Sequence, residues 1–287
     1  MFFAPSRFNP FRLILGATLL AFATSATAQS TNETLIIGVL PNVSARVILR
    51  TYRPMQAYFA SGLKRNVEIA TATDFRAFSA ATLRGDYQMV VTAANVGRVA
   101  QLDGKWEPLA IYEPPIPALL VAGADNPDTS IAQLKGKSLA LSNPQSLVAL
   151  RGLQWLREQG MQEGRDFKVV LAGNDDSLGT MIRSGEAPLA MMSMGEFRQI
   201  GDATRSKLKI FTEFAKVPGF LVMANPRLGS AEREQLKTLI IGFPKSDDGR
   251  SFSALAGVAN IREVTAAELE ALDAFVVQTR AGLAPEK

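Results

Sequence analysis

The chain has 287 residues, with 31 Lys and Arg against 27 Asp and Glu, and it contains neither histidine nor cysteine. Those two absences exclude Ser-His-Asp and Cys-His catalysis, thiolate nucleophiles, disulfides and the ordinary zinc and copper ligand sets. No metal or cofactor is expected. A formal charge of +4 with no basic stripe interleaved with aromatics excludes a nucleic-acid partner.

The first stretch reads as an address. Arg7 and Arg12, with no acid nearby, precede the uncharged and mostly apolar run from Leu13 to Ala26, and Ala26-Thr27-Ala28 places small residues just before Gln29. This pattern predicts a cleavable secretory signal peptide over 1–28, with cleavage near Ala28. The apolar run is shorter than the ~20 residues a membrane span needs, and a chain without cysteine has no lipid-anchor site. Loss of Arg7 and Arg12 lowers the net charge to about +2.

Beyond it, short apolar runs alternate with helical patterns, which predicts an α/β fold with largely parallel sheets. Leu35 to Leu40 reads as a buried strand. A helix follows from Ala45 to Ser61, kinked or restarted at Pro54 and closed by Gly62. Val67 to Ala72 is the next strand, Thr73 and Asp74 cap a helix to Arg84, and Gly85-Asp86 turns the chain into the strand Tyr87 to Thr92. A short helix begins near Asn95, and Glu107 to Tyr112 makes a fourth strand.

Pro114, Pro115 and Pro117 then mark an extended crossing to a second β/α series. Its strands are Ala118 to Ala122, Ser138 to Leu141, Phe167 to Ala172, Pro188 to Met192 and Leu208 to Phe214. Its main helix runs from Ser146 to Gln159, with a stop at Gly160. Val217-Pro218-Gly219 and the strand Phe220 to Ala224 form the return crossing. Only helices and loops are expected after it, among them a helix from Ser230 and one opened by the capping box Thr265-Ala-Ala-Glu268. The resulting organisation is two lobes, each a central sheet flanked by helices: 29–116 and 217–287 form the first, and 117–216 the second. Two crossing segments make the hinge, and ligands of such sheets sit at the carboxyl ends of strands beside helix N-termini.

The ordered segments Gly38-Val-Leu-Pro41, Tyr52-Arg-Pro-Met55, Val67 through Asp74-Phe75, Gly85 through Thr92, Leu134-Lys-Gly-Lys137 and Asp248-Gly249-Arg250 through Thr265 resemble the phosphonate/phosphate-type substrate-binding proteins of ABC transporters. The resemblance spans essentially the whole chain after the leader. It implies a type II periplasmic binding-protein fold and a periplasmic monomer, not an enzyme, that closes on a small ligand such as an oxyanion. It also implies a membrane partner, either the permease of an ABC importer or a membrane sensor kinase. Where that family commonly carries a Ser-Thr-Ser-Gly run, this chain has Ser142-Asn-Pro-Gln-Ser146, and where it often has His-Asp, this chain has Asn174-Asp175-Asp176.

The residues expected to line the ligand follow the strand ends. Asn42 and Ser44 come after the first strand. Thr92 and Asn95 stand between the third strand and its helix, where the family presents hydroxyl and N–H donors. Ser142, Gln145 and Ser146 hold the equivalent place in the second lobe, with Asn174 and Asp175 after its next strand. Phe75 is expected as an apolar wall. Ser193 and Glu196 are weaker candidates, Arg46 and Arg76 are possible anion partners, and Met191, Met192 and Met194 read as core packing.

Overall fold

The chain divides into two compact units, Met1–Thr31 and Asn32–Lys287. The computed structural model describes residues 1–2, 33–127, 130–172 and 175–285. All but the first two residues of the expected signal peptide, and Asn174, lie outside the described residues.

In the larger unit the elements follow in chain order. First come β1 (Leu35–Val39), α1 (Ala45–Leu63), β2 (Val67–Ala70), α2 (Phe75–Arg84), β3 (Met89–Thr92), α3 (Ala94–Gly104) and β4 (Glu107–Glu113). The chain continues through β5 (Ile116–Gly123), β6 (Ser138–Leu141), α4 (Leu147–Glu158), β7 (Lys168–Leu171), α5 (Asp175–Ser184), β8 (Leu189–Ser193), α6 (Met194–Gln199), α7 (Asp202–Arg205) and β9 (Leu208–Val217). It ends with β10 (Leu221–Ala224), α8 (Ser230–Gly242), α9 (Asp247–Ala256), β11 (Asn260–Arg262), α10 (Ala266–Ala271) and α11 (Val276–Leu283).

Local chemistry sets several boundaries. The Asp74 carboxylate accepts from the Ala77 N–H at 2.8 Å and starts α2. Gly85, in the left-handed region at φ 84, ends that helix by donating to the Ala81 and Thr82 carbonyls. Ser146 caps α4 through the Ala149 N–H, and Thr265 and Glu268 complete the expected capping box of α10. Helix α1 buries Ile48, Tyr52, Met55 and Phe59, spaced to lie on one face, with Pro54 inside the helix. It does not end at Gly62. It runs on to Leu63 and closes at Lys64, whose φ is 53. Gly62 instead lets α8 approach, since a Cβ there would sit 2.7 Å from Leu239 Cδ2.

Two sheets result, in the orders β11-β4-β10-β3-β1-β2 and β7-β6-β8-β5-β9. The expectation of largely parallel sheets is corrected. β1 is parallel to β2 and β3, and β6 to β7 and β8. β10 runs antiparallel to β3 and β4, β11 to β4, and β5 to β8 and β9. The reason lies in the connections. The chain enters the second sheet from β4 to β5 with only Pro114 and Pro115 between, and returns in the opposite direction from β9 to β10 with three residues between, so β9 runs against β5 and β10 against β4. The short strand β11 also corrects the expectation that only helices and loops follow the second crossing. It pairs Asn260 to Glu113 and Arg262 to Ile111 at the sheet edge.

One apolar core, built around Leu35, Ile37, Phe59, Phe243 and Phe252, lies under α1, α8 and α9. A second runs unbroken from α2 and α3 of the first sheet (Phe75, Phe78, Val96) to the second sheet and its helix α4 (Leu139, Leu147, Met191). The two halves therefore share one apolar core, worth about 1.5–3 kcal/mol for each fully buried large side chain in it.

The two crossings lie side by side. The Tyr112 N–H donates to the Phe220 carbonyl at 2.9 Å, and Ile116 faces Val217. Gly219 passes so close that a Cβ would sit 2.1 Å from the Tyr112 carbonyl oxygen. Because the obstacle is backbone, Gly219→Ala is expected to cost about 2 kcal/mol and to lower the melting temperature by about 4–8 °C in calorimetry. An unchanged melting temperature would show that the crossings can part freely.

Candidate ligand site between the two sheets

The strand β3 ends at Thr92, and α3 begins two residues later. Ala93 at its N-cap supplies no side-chain hydrogen bond, so the first-turn N–H groups of this 11-residue helix keep no side-chain cap. From the second sheet, β6 ends at Leu141 and the loop 142–146 leads into α4. The two helix starts meet across the boundary, because Asn95 Nδ2 donates to the Gln145 carbonyl at 3.0 Å. The positive ends of two helix dipoles are thus neighbours, and such ends favour an anion.

Two buried polar atoms stand there without partners. Thr92 and Asn95 are each 1 % exposed, and Thr92 Oγ1 and Asn95 Oδ1 have no hydrogen-bond partner among the described residues. Such orphaned groups cost about 1–3 kcal/mol each. The Asn95 amide nitrogen, in contrast, is fully used: besides Gln145 it donates to Thr279 Oγ1 on α11, also at 3.0 Å. Helix α11 further receives Arg76 Nε on the Gly282 carbonyl at 2.9 Å. It packs against α2 and α3, and the Arg280–Asp103 ion pair secures it at 2.5 Å.

The sequence-expected residues divide into groups. Thr92, Asn95, Gln145 and Ser146 come together, although Gln145 contributes its carbonyl while its side chain packs on Gly282. Ser146 is used as a helix cap. Ser142 donates to Glu196 Oε1 at 2.5 Å, and the other oxygen of Glu196 accepts the Ser193 N–H at 2.6 Å. Glu196, a weaker candidate from sequence, therefore ties the ends of β6 and β8 together. Phe75 is buried in the core beside Phe78 and Leu40. Asn42 and Ser44 are exposed at the start of α1, and no hydrogen bond among the described residues links them to Asn95. Asp175 opens α5. Sequence reading missed Thr279, for which no local signal exists.

A cavity of about 170 Å³ lies elsewhere, at the crossings, between Tyr112, Glu113, Lys216, Pro218, Arg262 and Glu268. Its carboxylates are already engaged. Arg262 donates to Glu113 Oε1 at 2.8 Å and to both oxygens of Glu268 at 2.6 and 3.0 Å. These bonds, helped by the Thr265 N–H and hydroxyl, hold the Glu268 carboxyl down at about 2. Arg262, then Asn260, holds that of Glu113 below its ordinary value. The triad joins β4, β11 and α10 at the hinge.

A carboxyl held low in the folded state stabilises it above its unfolded value of about 4.3 and loses that contribution as pH falls through the folded one. The stability advantage of the wild type over Arg262→Gln, read from urea midpoints, is therefore expected to be full above about pH 5 and to shrink toward pH 2. With each partner about a third exposed, it should amount to about 1 kcal/mol. A pH-independent difference would assign Arg262 a packing role instead.

Comparison with known proteins places this architecture. The family model described as ABC transporter, phosphonate, periplasmic substrate-binding protein matches residues 37–269. Among solved structures, the chain is similar to a binding protein component of an ABC phosphonate transporter from Pseudomonas aeruginosa. The TM-score is 0.75 at 12% identity, covering 89% of this chain and 90% of that one. It is also similar to PhnD1 from Prochlorococcus marinus in complex with methylphosphonate, with TM-score 0.75, 14% identity and coverage of 85% and 97%. The periplasmic aliphatic sulphonate binding protein SsuA from Escherichia coli follows at TM-score 0.62, 13% identity and coverage of 89% and 94%. These structures share its fold, that of type II periplasmic binding proteins. The chain belongs to the family of phosphonate-type periplasmic substrate-binding proteins of ABC transporters and is not an enzyme.

Proposed function

We propose that this member of the family captures a small oxyanion between two lobes and delivers it to the permease of an ABC importer. The lobes are 29–116 with 217–287, and 117–216. A signal peptide over 1–28, cleaved near Ala28, sends the chain to the periplasm, where it acts as a monomer. The observation that carries the reading is the pair of orphaned atoms, Thr92 Oγ1 and Asn95 Oδ1, buried where the N-termini of α3 and α4 converge. A bound head group would satisfy both and take the uncapped N–H groups of α3. Ser142 and Ser146, already engaged with Glu196 and Ala149, shape the second-lobe wall. Asn42 and Ser44 extend the site toward α1, and Phe75 backs it from the core.

Hinge closure supplies the mechanism. Opening parts the shared apolar core and breaks the Asn95–Gln145 bond. A ligand that bridges the two helix starts favours the closed form by its differential affinity alone.

A thermal-shift screen of the mature protein against phosphate, phosphonates, sulfonates and amino acids tests this. A true ligand at about 100 times its Kd stabilises by about 2.7 kcal/mol. Thr92→Val, which removes an orphaned hydroxyl at nearly constant shape, should leave the ligand-free melting temperature unchanged or raised while weakening the ligand about tenfold. A Thr92→Val protein that is destabilised yet binds normally would move the site away from β3.

A further inference from the structure

The side-chain amide of Asn95 is held in one orientation. Its neighbours at 3.0 Å are the main-chain carbonyl of Gln145 and the hydroxyl of Thr279. A carbonyl only accepts, so the atom facing it is the nitrogen, because the reverse would set two acceptor oxygens against each other. Both amide hydrogens are thereby committed, and Oδ1 is left buried with no partner among the described residues. That oxygen accepts and never donates. A fully deprotonated oxyanion set against it would face lone pairs, whereas a group bearing a proton would complete it.

Resting on the oxyanion reading of this site, we propose that the head group is bound as a protonated oxyanion, a hydrogen-phosphonate monoanion whose O–H is donated to Asn95 Oδ1. Its unprotonated oxygens take the Thr92 hydroxyl and the N–H groups at the helix starts. Thr279 acts as a positioning residue, because its hydroxyl holds the second amide hydrogen and keeps Oδ1 turned to the ligand.

The charged groups around Asn95 do not interfere. On α3, Arg98 is paired with Asp273 at 2.7 Å, and on α11 Arg280 is paired with Asp103. At α2, Arg76 is engaged with the Gly282 carbonyl and Asp74 with the Ala77 N–H, and Glu196 reaches the loop 142–146 through Ser142. Hydrogen bonding pushes Arg98 and Arg280 up, and Asp273 and Asp74 down, so these remain ionised near neutrality. With no histidine or cysteine in the chain, no side chain has an ordinary pKa near neutrality. A phosphate-type ligand does, losing its second proton at about pH 6 or somewhat above.

Calorimetric titration of the mature protein with methylphosphonate and methanesulfonate, each at about pH 5.5 and about pH 8.5, tests the proposal against the ligand's own titration. Methylphosphonate should bind about tenfold or more tighter at the lower pH. Methanesulfonate, tetrahedral but unprotonated throughout, should bind about tenfold or more weaker than methylphosphonate there. Thr279→Val should erode that discrimination and Thr279→Ser restore it. Equal binding of the two anions, or methylphosphonate tightening as pH rises, overturns the proton requirement while leaving an anion site intact. Binding of neither anion overturns both readings, and full discrimination in a folded Thr279→Val protein overturns the role of Thr279.

Discussion

Where β9 returns the chain to β10, Gly219 lies against the Tyr112 carbonyl with no room for a methyl group, and the next residue accepts the Tyr112 N–H. This contact lets two chain segments pass between the sheets as a flush pair. The pair fixes β5 against β9 in the second sheet and β4 against β10 in the first. It also delivers the starts of α3 and α4 to the same place.

The hinge carries its own electrostatic brace a short distance from that contact. Arg262 is shared between Glu113, on the strand that leads into the first crossing, and Glu268, on a helix that follows the second. Backbone contact and charge triad thus divide the work: one holds the crossings together, the other ties β11 and α10 to the end of β4.

Much of this was legible in the sequence because it is local. Asp74, Ser146 and the Thr265–Glu268 pair cap the helices they announce, and the prolines at 114, 115 and 117 stand where the chain changes sheets. Thr92 and Asn95 were legible as the residues between a strand and its helix. What could not be read depends on partners far along the chain. The antiparallel insertion of β10 follows from the shortness of two connections, which hydrophobic periodicity does not encode. Gly62 reads as a helix stop but answers to Leu239 on another helix. The orientation of the Asn95 amide is set by Gln145 and Thr279, 50 and 184 residues away, and the residue type alone cannot say which end of its amide is free.

That last separation bears on how the molecule comes into being. A chain that emerges from its N-terminus presents α3 early, yet the hydroxyl that orients Asn95 arrives 184 residues later. Loop closure over such a span is slow relative to local helix formation. The fixed orientation of Asn95 is therefore a late acquisition in the folding sequence. A partly folded chain with both sheets in place but α11 undocked would hold Asn95 without the hydroxyl partner it has in the finished protein.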